Sequence, residues 1–362
     1  MKTILHVVGA RPNFMKVAPV MAALARFDDI RQLLVDTGQH YDEAMAGIFL
    51  KEFGLPAPDR SLGVGSASHA VQTARVMTAF EAVCLELAPD LVIVVGDVNS
   101  TMAATLVAAK LRIPVAHVEA GLRSRDRAMP EEINRIVTDC LADVLLTPSP
   151  DGRENLIAEG VPADRIHHVG NVMIDTLLRF LPAATLDRIA DRVPSVRGRY
   201  AVLTLHRPSN VDERATFTGI ASALATIART MPIVFPVHPR TESRIAEFGL
   251  TRALDGVCLT PPLGYVDFLS LTSNAALVLT DSGGLQEEST ALGIPCLTLR
   301  ENTERPITVT QGTNRVVGTR CEDIVAAFHD VQRHPPARRR PDLWDGRAGP
   351  RVASVLHEFL CG

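Results

Sequence analysis

The chain is poor in aromatic residues, in lysine and in closely spaced cysteines, and it carries no block of like charge. Aromatics make up 4% of 362 residues, too few for a surface on which nucleic-acid bases stack. The net charge of −4 is spread without runs of one sign, which leaves no footprint for nucleic acid or an anionic membrane. The six cysteines, at positions 84, 140, 258, 296, 321 and 361, form no CxxC or Cys/His cluster. Neither a metal site nor a disulfide framework is indicated, and reduced thiols in a cytoplasm fit best. No apolar run approaches the ~20 residues that a membrane-spanning helix needs. The opening run Ile4–Val8 breaks at Gly9–Pro12 with no small-residue cleavage site, so it reads as a buried first strand rather than a signal peptide.

What is present is a βα rhythm. Hydrophobic residues are 46% and charged residues 22%, the balance of a packed soluble protein. At ~150 residues per domain the length suggests two domains. Short apolar runs without alternation, the mark of strands buried on both faces, recur at Ile4–Val8, Leu33–Thr37, Leu91–Val95, Val115–Val118 and Val144–Thr147. Helical stretches separate them: Phe14–Ala25, Val71–Leu87, Met102–Leu111 and Asp151–Glu159. His168–Asn171 reads as a crossing between domains and Pro182–Arg199 as a variable surface segment. The rhythm resumes with strands at Tyr200–Leu205, Ile233–Pro236, Ala276–Thr280, Pro295–Leu299 and Asn314–Gly318. A basic, Pro-rich linker (His334–Pro341) leads to a last helix, Arg351–Leu360. The expected domains are residues 1–169, joined by the returning helix 350–362, and residues 170–349.

In an open parallel sheet, ligands gather at the carboxyl ends of the strands. Polar residues collect at those ends here. Asp97 follows one strand and Glu119 the next, and Glu131 opens the helix after the Arg-rich loop Leu122–Met129. Each has a local alternative. Asp97 suits a helix cap, as do Asn99, Ser100 and Thr101 for the helix from Met102. Glu131 and Glu132 after Pro130 suit a helix dipole. Arg11 and Lys16 sit at the first strand-to-helix turn, where a helix amino terminus and two cations favour an anion. Lys16 is one of only four lysines. His206 and His238 follow strands of the second half, and His206 suits a satisfied core histidine as well as a ligand. Asp281-Ser282-Gly283-Gly284 lies between a buried strand and a helix, where two glycines let a ligand approach backbone N–H groups.

Nine segments taken together are more specific than any one of them. GARPNFMK, TGQHYDEAM, VVGDVNST, HVEAGLR, PEEINR, LTLHR, PVHPRT, TDSGGLQEE and NTERP run in this order over residues 9–318. They resemble the non-hydrolysing UDP-N-acetylglucosamine 2-epimerases. The resemblance implies a glycosyltransferase-B type fold: α/β, two Rossmann-like domains with parallel sheets facing a central cleft. It implies UDP held by the second domain, with Ser282 and the Gly283 and Gly284 amides on the phosphates. Glu288 would take the ribose hydroxyls, Arg11 and Arg305 would lie near the diphosphate or sugar, and His238 would join this binding set. Asp97, Glu119, Glu131 and His206, with Lys16, would surround the reacting sugar. A UDP-sugar is the implied partner, in a cytoplasmic homodimer that supplies precursors for cell-surface polysaccharide.

Carbon 2 of the sugar has no neighbouring carbonyl to acidify its hydrogen, so simple deprotonation is prohibitive. The turn GARPNF lacks GxGxxG, so no nicotinamide or other cofactor is expected. The expected route is elimination of UDP to a 2-acetamidoglucal and re-addition with the proton on the opposite face. Two departures stand out. This chain has His206-Arg207-Pro208-Ser209 where the family often has HRRE, and the loop between Glu119 and Glu131 is short, so activation by a second substrate molecule is not expected. The same motifs also suit a hydrolysing epimerase that releases N-acetylmannosamine. The fold suits a glycosyltransferase or a nucleotide-sugar sensor as well.

Overall fold

A computed structural model describes residues 1–38, 47 and 50–362. The segment from Gln39 through Met45, in the motif TGQHYDEAM, lies outside the described residues. The chain divides into two compact units, Met1–Thr176 with Asp342–Gly362, and Leu177–Pro341.

The first unit is built on seven parallel strands: β1 (Lys2–Val8), β2 (Ile30–Asp36), β3 (Arg60–Ser61), β4 (Leu91–Val95), β5 (Val115–Val118), β6 (Val144–Thr147) and β7 (Ile166–His168). Their order is β3-β2-β1-β4-β5-β6-β7. All pairings are parallel. The period-2 alternation of β4 divides its side chains between two cores. Leu91, Ile93 and Val95 pack with Val20 and Leu24 of the helix Arg11–Leu24 and with Val352 and Leu356 of the helix Ala348–Cys361. Val92 and Val94 pack with Phe80, Ala104 and Val107 on the other face. Burial on both faces is why the strand reads LVIVV without a polar residue.

The second unit has six parallel strands: β8 (Ala201–Thr204), β9 (Ile233–Pro236), β10 (Val257–Thr260), β11 (Leu277–Thr280), β12 (Cys296–Thr298) and β13 (Asn314–Val316). Their order is β10-β9-β8-β11-β12-β13. The order reverses between β1 and β4 in one sheet and between β8 and β11 in the other. Connections leave those two strand pairs in opposite directions, so a crevice opens at their carboxyl ends.

Several local expectations need correction. The first helix starts at Arg11, not Phe14, because Asn13 Oδ1 accepts from the N–H groups of Gly9 (3.1 Å) and Ala10 (2.9 Å) and closes the turn early. Asn99, Ser100 and Thr101 lie inside the helix Asn99–Lys110 and do not cap it. Their side chains instead bind neighbours: Thr101 Oγ1 donates to Val95 O, and Asn99 Nδ2 to Gln72 Oε1. His168 ends β7, and the passage to the second unit falls inside the helix Val172–Phe180. Strands β3 and β7 have too few apolar residues to stand out in sequence, and β10 (VCLT) also went unexpected. Pro182–Arg199 is no mere surface segment. Ile189, Val193 and Val196, three or four residues apart, are buried against Tyr200, Val202 and Leu271.

The helix Ala348–Cys361 is held to the first unit at its start. Asp175 accepts from the N–H groups of Ala348 (3.0 Å) and Gly349 (2.7 Å), and Trp344 Nε1 donates to Pro148 O. A Cβ on Gly349 would lie 2.6 Å from Pro19 O. Among the described residues no helix is long and apolar enough to cross a membrane. Gly349→Val should push this helix off the helix Arg11–Leu24 and cost about 3 kcal/mol, as overpacking does. Urea unfolding reads this as a lower midpoint, and an unchanged midpoint would mean that the contact carries no stability.

Candidate active site

In the first unit the ends of β1, β4 and β5 meet without room for side chains. A Cβ on Gly9 would lie 2.4 Å from Ser100 Oγ and 2.5 Å from Thr37 Oγ1. Gly96, at φ +70°, passes directly over Lys16, and a Cβ there would sit 2.8 Å from Nζ and 3.6 Å from Glu119 Oε2. Lys16, on the helix Arg11–Leu24, forms an ion pair with Glu119, and both are about nine-tenths buried or more. Glu119 has φ +76°. A non-glycine residue held in this region carries about 1–3 kcal/mol of strain. Here that conformation ends β5 in a turn, with the N–H groups of Glu119 and Ala120 both on Leu146 O.

Asp97 follows Gly96. Its carboxylate pairs with Arg135 and its carbonyl accepts from Asn134 Nδ2 (2.9 Å). Arg135 is buried and is shared with Glu132, whose oxygens also accept from the N–H groups of Ser124 and Arg125. The two glutamates of PEE therefore differ. Glu132 is buried and ties the Arg-rich loop to the helix Pro130–Leu141, while Glu131 is exposed. This helix is inside out. It buries Glu132, Asn134, Arg135, Thr138 and Asp139, and it turns Ile133 and Leu141 to the exterior.

In the second unit His206 follows β8 and Asp281 follows β11, across the switch point. Asp281 is wholly buried. It accepts from the N–H groups of His206 (3.0 Å) and Arg207 (2.9 Å), and His206 Nδ1 lies 2.9 Å away. Burial would raise this carboxyl, but the His206 ring and those two N–H groups hold it below the usual carboxylate range. With Nδ1–H donated to Asp281, the half-exposed ring leaves Nε2 available for a proton.

Ser282 precedes the helix Gly283–Leu292. A Cβ on Gly283 would lie 2.3 Å from Arg305 Nη1. Arg305 is buried between Glu287 (2.9 Å) and Glu304 (2.5 Å), and Glu304 also pairs with Arg300 (2.8 Å) and Arg207 (3.5 Å). Guanidinium groups of Arg207, Arg300 and Arg305 and the carboxylates of Glu287 and Glu304 thus form a buried ion-pair cluster beside a helix amino terminus. Glu288 is buried one turn on, with the Tyr265 hydroxyl at 3.2 Å. His238 is exposed as the residue before the helix Pro239–Phe248, and Arg11 is half-buried at the first position of its helix.

Of the residues singled out in the sequence, Lys16, Glu119 and Asp97 come together at one switch point. His206, Ser282, Gly283 and Arg305 come together at the other. Glu131, Arg11 and His238 stand at the margins. The supporting partners Asp281, Arg135, Glu132, Glu287 and Glu304 were not foreseen. Glu132 and Arg135 were legible as an i,i+3 pair, and Asp281 as an acid at a strand end.

These two sheets and their sites define a two-unit α/β enzyme of glycosyltransferase-B type. The family model described as UDP-N-acetylglucosamine 2-epimerase matches residues 22–357. A relative from Methanocaldococcus jannaschii named UDP-N-acetylglucosamine 2-epimerase is 40% identical over 97% of each chain. A relative from Pseudomonas aeruginosa named UDP-2,3-diacetamido-2,3-dideoxy-D-glucuronate 2-epimerase is 40% identical over 89% of this chain and 90% of its own. A crystal structure of the M. jannaschii UDP-GlcNAc 2-epimerase, in complex with UDP-GlcNAc and UDP, superposes with a TM-score of 0.91 at 40% identity. It covers 99% of this chain and 100% of that one. The chain belongs to the UDP-N-acetylglucosamine 2-epimerase family.

Burial would raise the Glu304 carboxyl, but Arg305, Arg300 and Arg207 hold it far below the usual range. A folded value below the unfolded one adds stability that is complete above the unfolded value and is lost as pH falls toward the folded one. Glu304→Gln should cost about 3–5 kcal/mol at neutral pH, because it strands buried cations. Chemical unfolding should show the gap to the parent shrinking below about pH 4, where unfolded carboxylates titrate. A gap independent of pH would show that the ionised form is not what stabilises the fold.

Proposed function

We propose that this chain interconverts UDP-N-acetylglucosamine and UDP-N-acetylmannosamine by elimination and re-addition of UDP. A base takes the carbon 2 proton while the carbon 1–oxygen bond to UDP breaks, and a 2-acetamidoglucal forms. UDP returns to carbon 1, and an acid delivers a proton to the other face of carbon 2. The observation that carries this reading is the cluster of ionisable groups, Lys16, Glu119 and Asp97, fixed at one switch point of a family member. One positioned acid or base contributes about 10²–10⁴-fold, so the reaction needs several. Asp97, Glu119, Glu131 and His206 supply them in this reading, with Lys16 tuning Glu119. Arg11, the Ser282–Gly284 turn propped by Arg305, Glu288 and His238 hold the UDP portion. Donors aimed at the departing diphosphate supply the electrostatic term. The reaction serves cell-surface polysaccharide synthesis in the cytoplasm.

The P. aeruginosa relative carries the name of a modified UDP-sugar epimerase, which makes a modified sugar the second reading. Proton NMR of UDP-N-acetylglucosamine incubated with the protein in heavy water separates the two. The manno epimer carrying deuterium at carbon 2 is expected. Free N-acetylmannosamine with UDP would identify a hydrolysing enzyme, and no change with this sugar but turnover of a diacetamido uronate would establish the second reading. Asp97→Asn should lower kcat by about 10²–10⁴-fold with UDP affinity kept, and near-normal turnover would remove Asp97 from the acid/base set.

The proposed assembly is a homodimer. It is supported by the outward apolar stripe Ile133, Ile136, Val137, Cys140 and Leu141 on an inside-out helix, a pattern that marks interaction surfaces. Sedimentation should show a dimer for the parent and a monomer for Ile133→Asp combined with Leu141→Asp. A dimer in both would move the interface elsewhere.

A further inference from the structure

His117 lies in the middle of β5, between the two acid-bearing turns, and is wholly buried. Its Nε2 is 2.8 Å from the Gly96 carbonyl oxygen and its Nδ1 is 2.6 Å from Asp139 Oδ1. A carbonyl oxygen only accepts. Asp139 is an acceptor as well: burial would raise its carboxyl, but His117 and the Arg123 guanidinium hold it below the usual range, and its Oδ2 takes the N–H of Gly121 (3.0 Å) and Nη1 of Arg123 (2.6 Å). Two acceptors require two ring donors. A ring with a proton on each nitrogen satisfies both acceptors, and a line of polar groups runs from it through Asp139 and Arg123 to Glu159, bound by Arg123 at 2.8 and 2.6 Å.

The two arms of this ring reach different turns. Nε2 holds the carbonyl of Gly96, the residue between β4 and Asp97. Nδ1 holds Asp139, and Asp139 holds the N–H of Gly121, the residue that closes the turn containing Glu119. Both turns are in left-handed backbone, at φ +70° for Gly96, +76° for Glu119 and +82° for Gly121. Such geometry persists only where surroundings over-determine it.

We propose that His117 is a positioning residue of the epimerisation reaction, a doubly protonated imidazole clamp that sets Asp97 through Gly96 and Glu119 through Asp139 and Gly121. This rests on the acid/base roles assigned to Asp97 and Glu119 above. The residue touches no substrate and transfers no proton. Its work is to hold two groups on separate strands in one register while bonds at carbon 1 and carbon 2 break and form.

The two arms are separable by conservative replacement. An asparagine amide reaches the place of Nδ1 and keeps the Asp139 arm alone, while a glutamine amide reaches the place of Nε2 and keeps the Gly96 arm alone. His117→Asn and His117→Gln should each lower kcat by about 10–100-fold, the size of effect expected for displacement of a reacting group by a fraction of an ångström to an ångström. KM should stay within about twofold, since the groups proposed to bind UDP are untouched. The ratio of deuterium wash-in at carbon 2 to net epimer formation should also change, and in opposite senses for the two variants if the two turns serve different sugar faces. A merely structural role would lower the thermal midpoint and leave kcat of the folded fraction and this ratio unchanged, which would overturn the proposal. Nitrogen-15 histidine labelling of the parent tests the clamp even if neither variant folds. Two slowly exchanging ring N–H protons are expected on His117, and a single one would overturn it. A parent that epimerises no UDP-sugar would instead remove the proposed function, a separate failure.

Discussion

A charge removed from water has to be paired, and this requirement organises both halves of the molecule. Lys16 is buried against Glu119, Arg135 against Asp97 and Glu132, Arg123 against Asp139, and Arg305 against Glu287 and Glu304. All of these pairs but the adjacent Arg305 and Glu304 join residues far apart in the chain or in successive turns of one helix. The attraction only offsets desolvation when geometry is good, so each pair also fixes the backbone that carries it. The acids are held in place by these ion pairs.

Pairing also explains the inverted helix Pro130–Leu141. A helix against a sheet normally buries its apolar stripe. Here the inner face has to meet Asp97, the Ser124 and Arg125 N–H groups and the buried His117, all polar. The apolar residues are left on the outside.

The two switch points use different means to similar ends. The first relies on backbone in the left-handed region and on glycines that admit no Cβ, so that Lys16 of the first helix meets the turns after β4 and β5. The second relies on one buried carboxylate, Asp281, which orients His206 and the start of the next turn together. An imidazole held at Nδ1 by an acceptor has one defined free nitrogen. A cluster of arginines paired with Glu287 and Glu304 lies beneath Gly283 at a helix amino terminus, where an anion is favoured.

The sequence by itself determined the fold class, because strands buried on both faces must be apolar throughout and their alternation with helices admits few topologies. It also determined the motifs that placed Asp97, Glu119 and the Ser282–Gly284 turn at strand ends, since those positions depend on local order along the chain. The short polar strands β3 and β7 were silent, and Pro182–Arg199 hid its buried Ile189, Val193 and Val196 among arginines and prolines. Only the tertiary structure decided which acid of PEE is buried, which arginine meets Asp97, and that Asp281 orients His206. Such choices depend on pairings between residues as much as 75 positions apart. Pairings at that range follow from strand order and desolvation, and no local pattern encodes them.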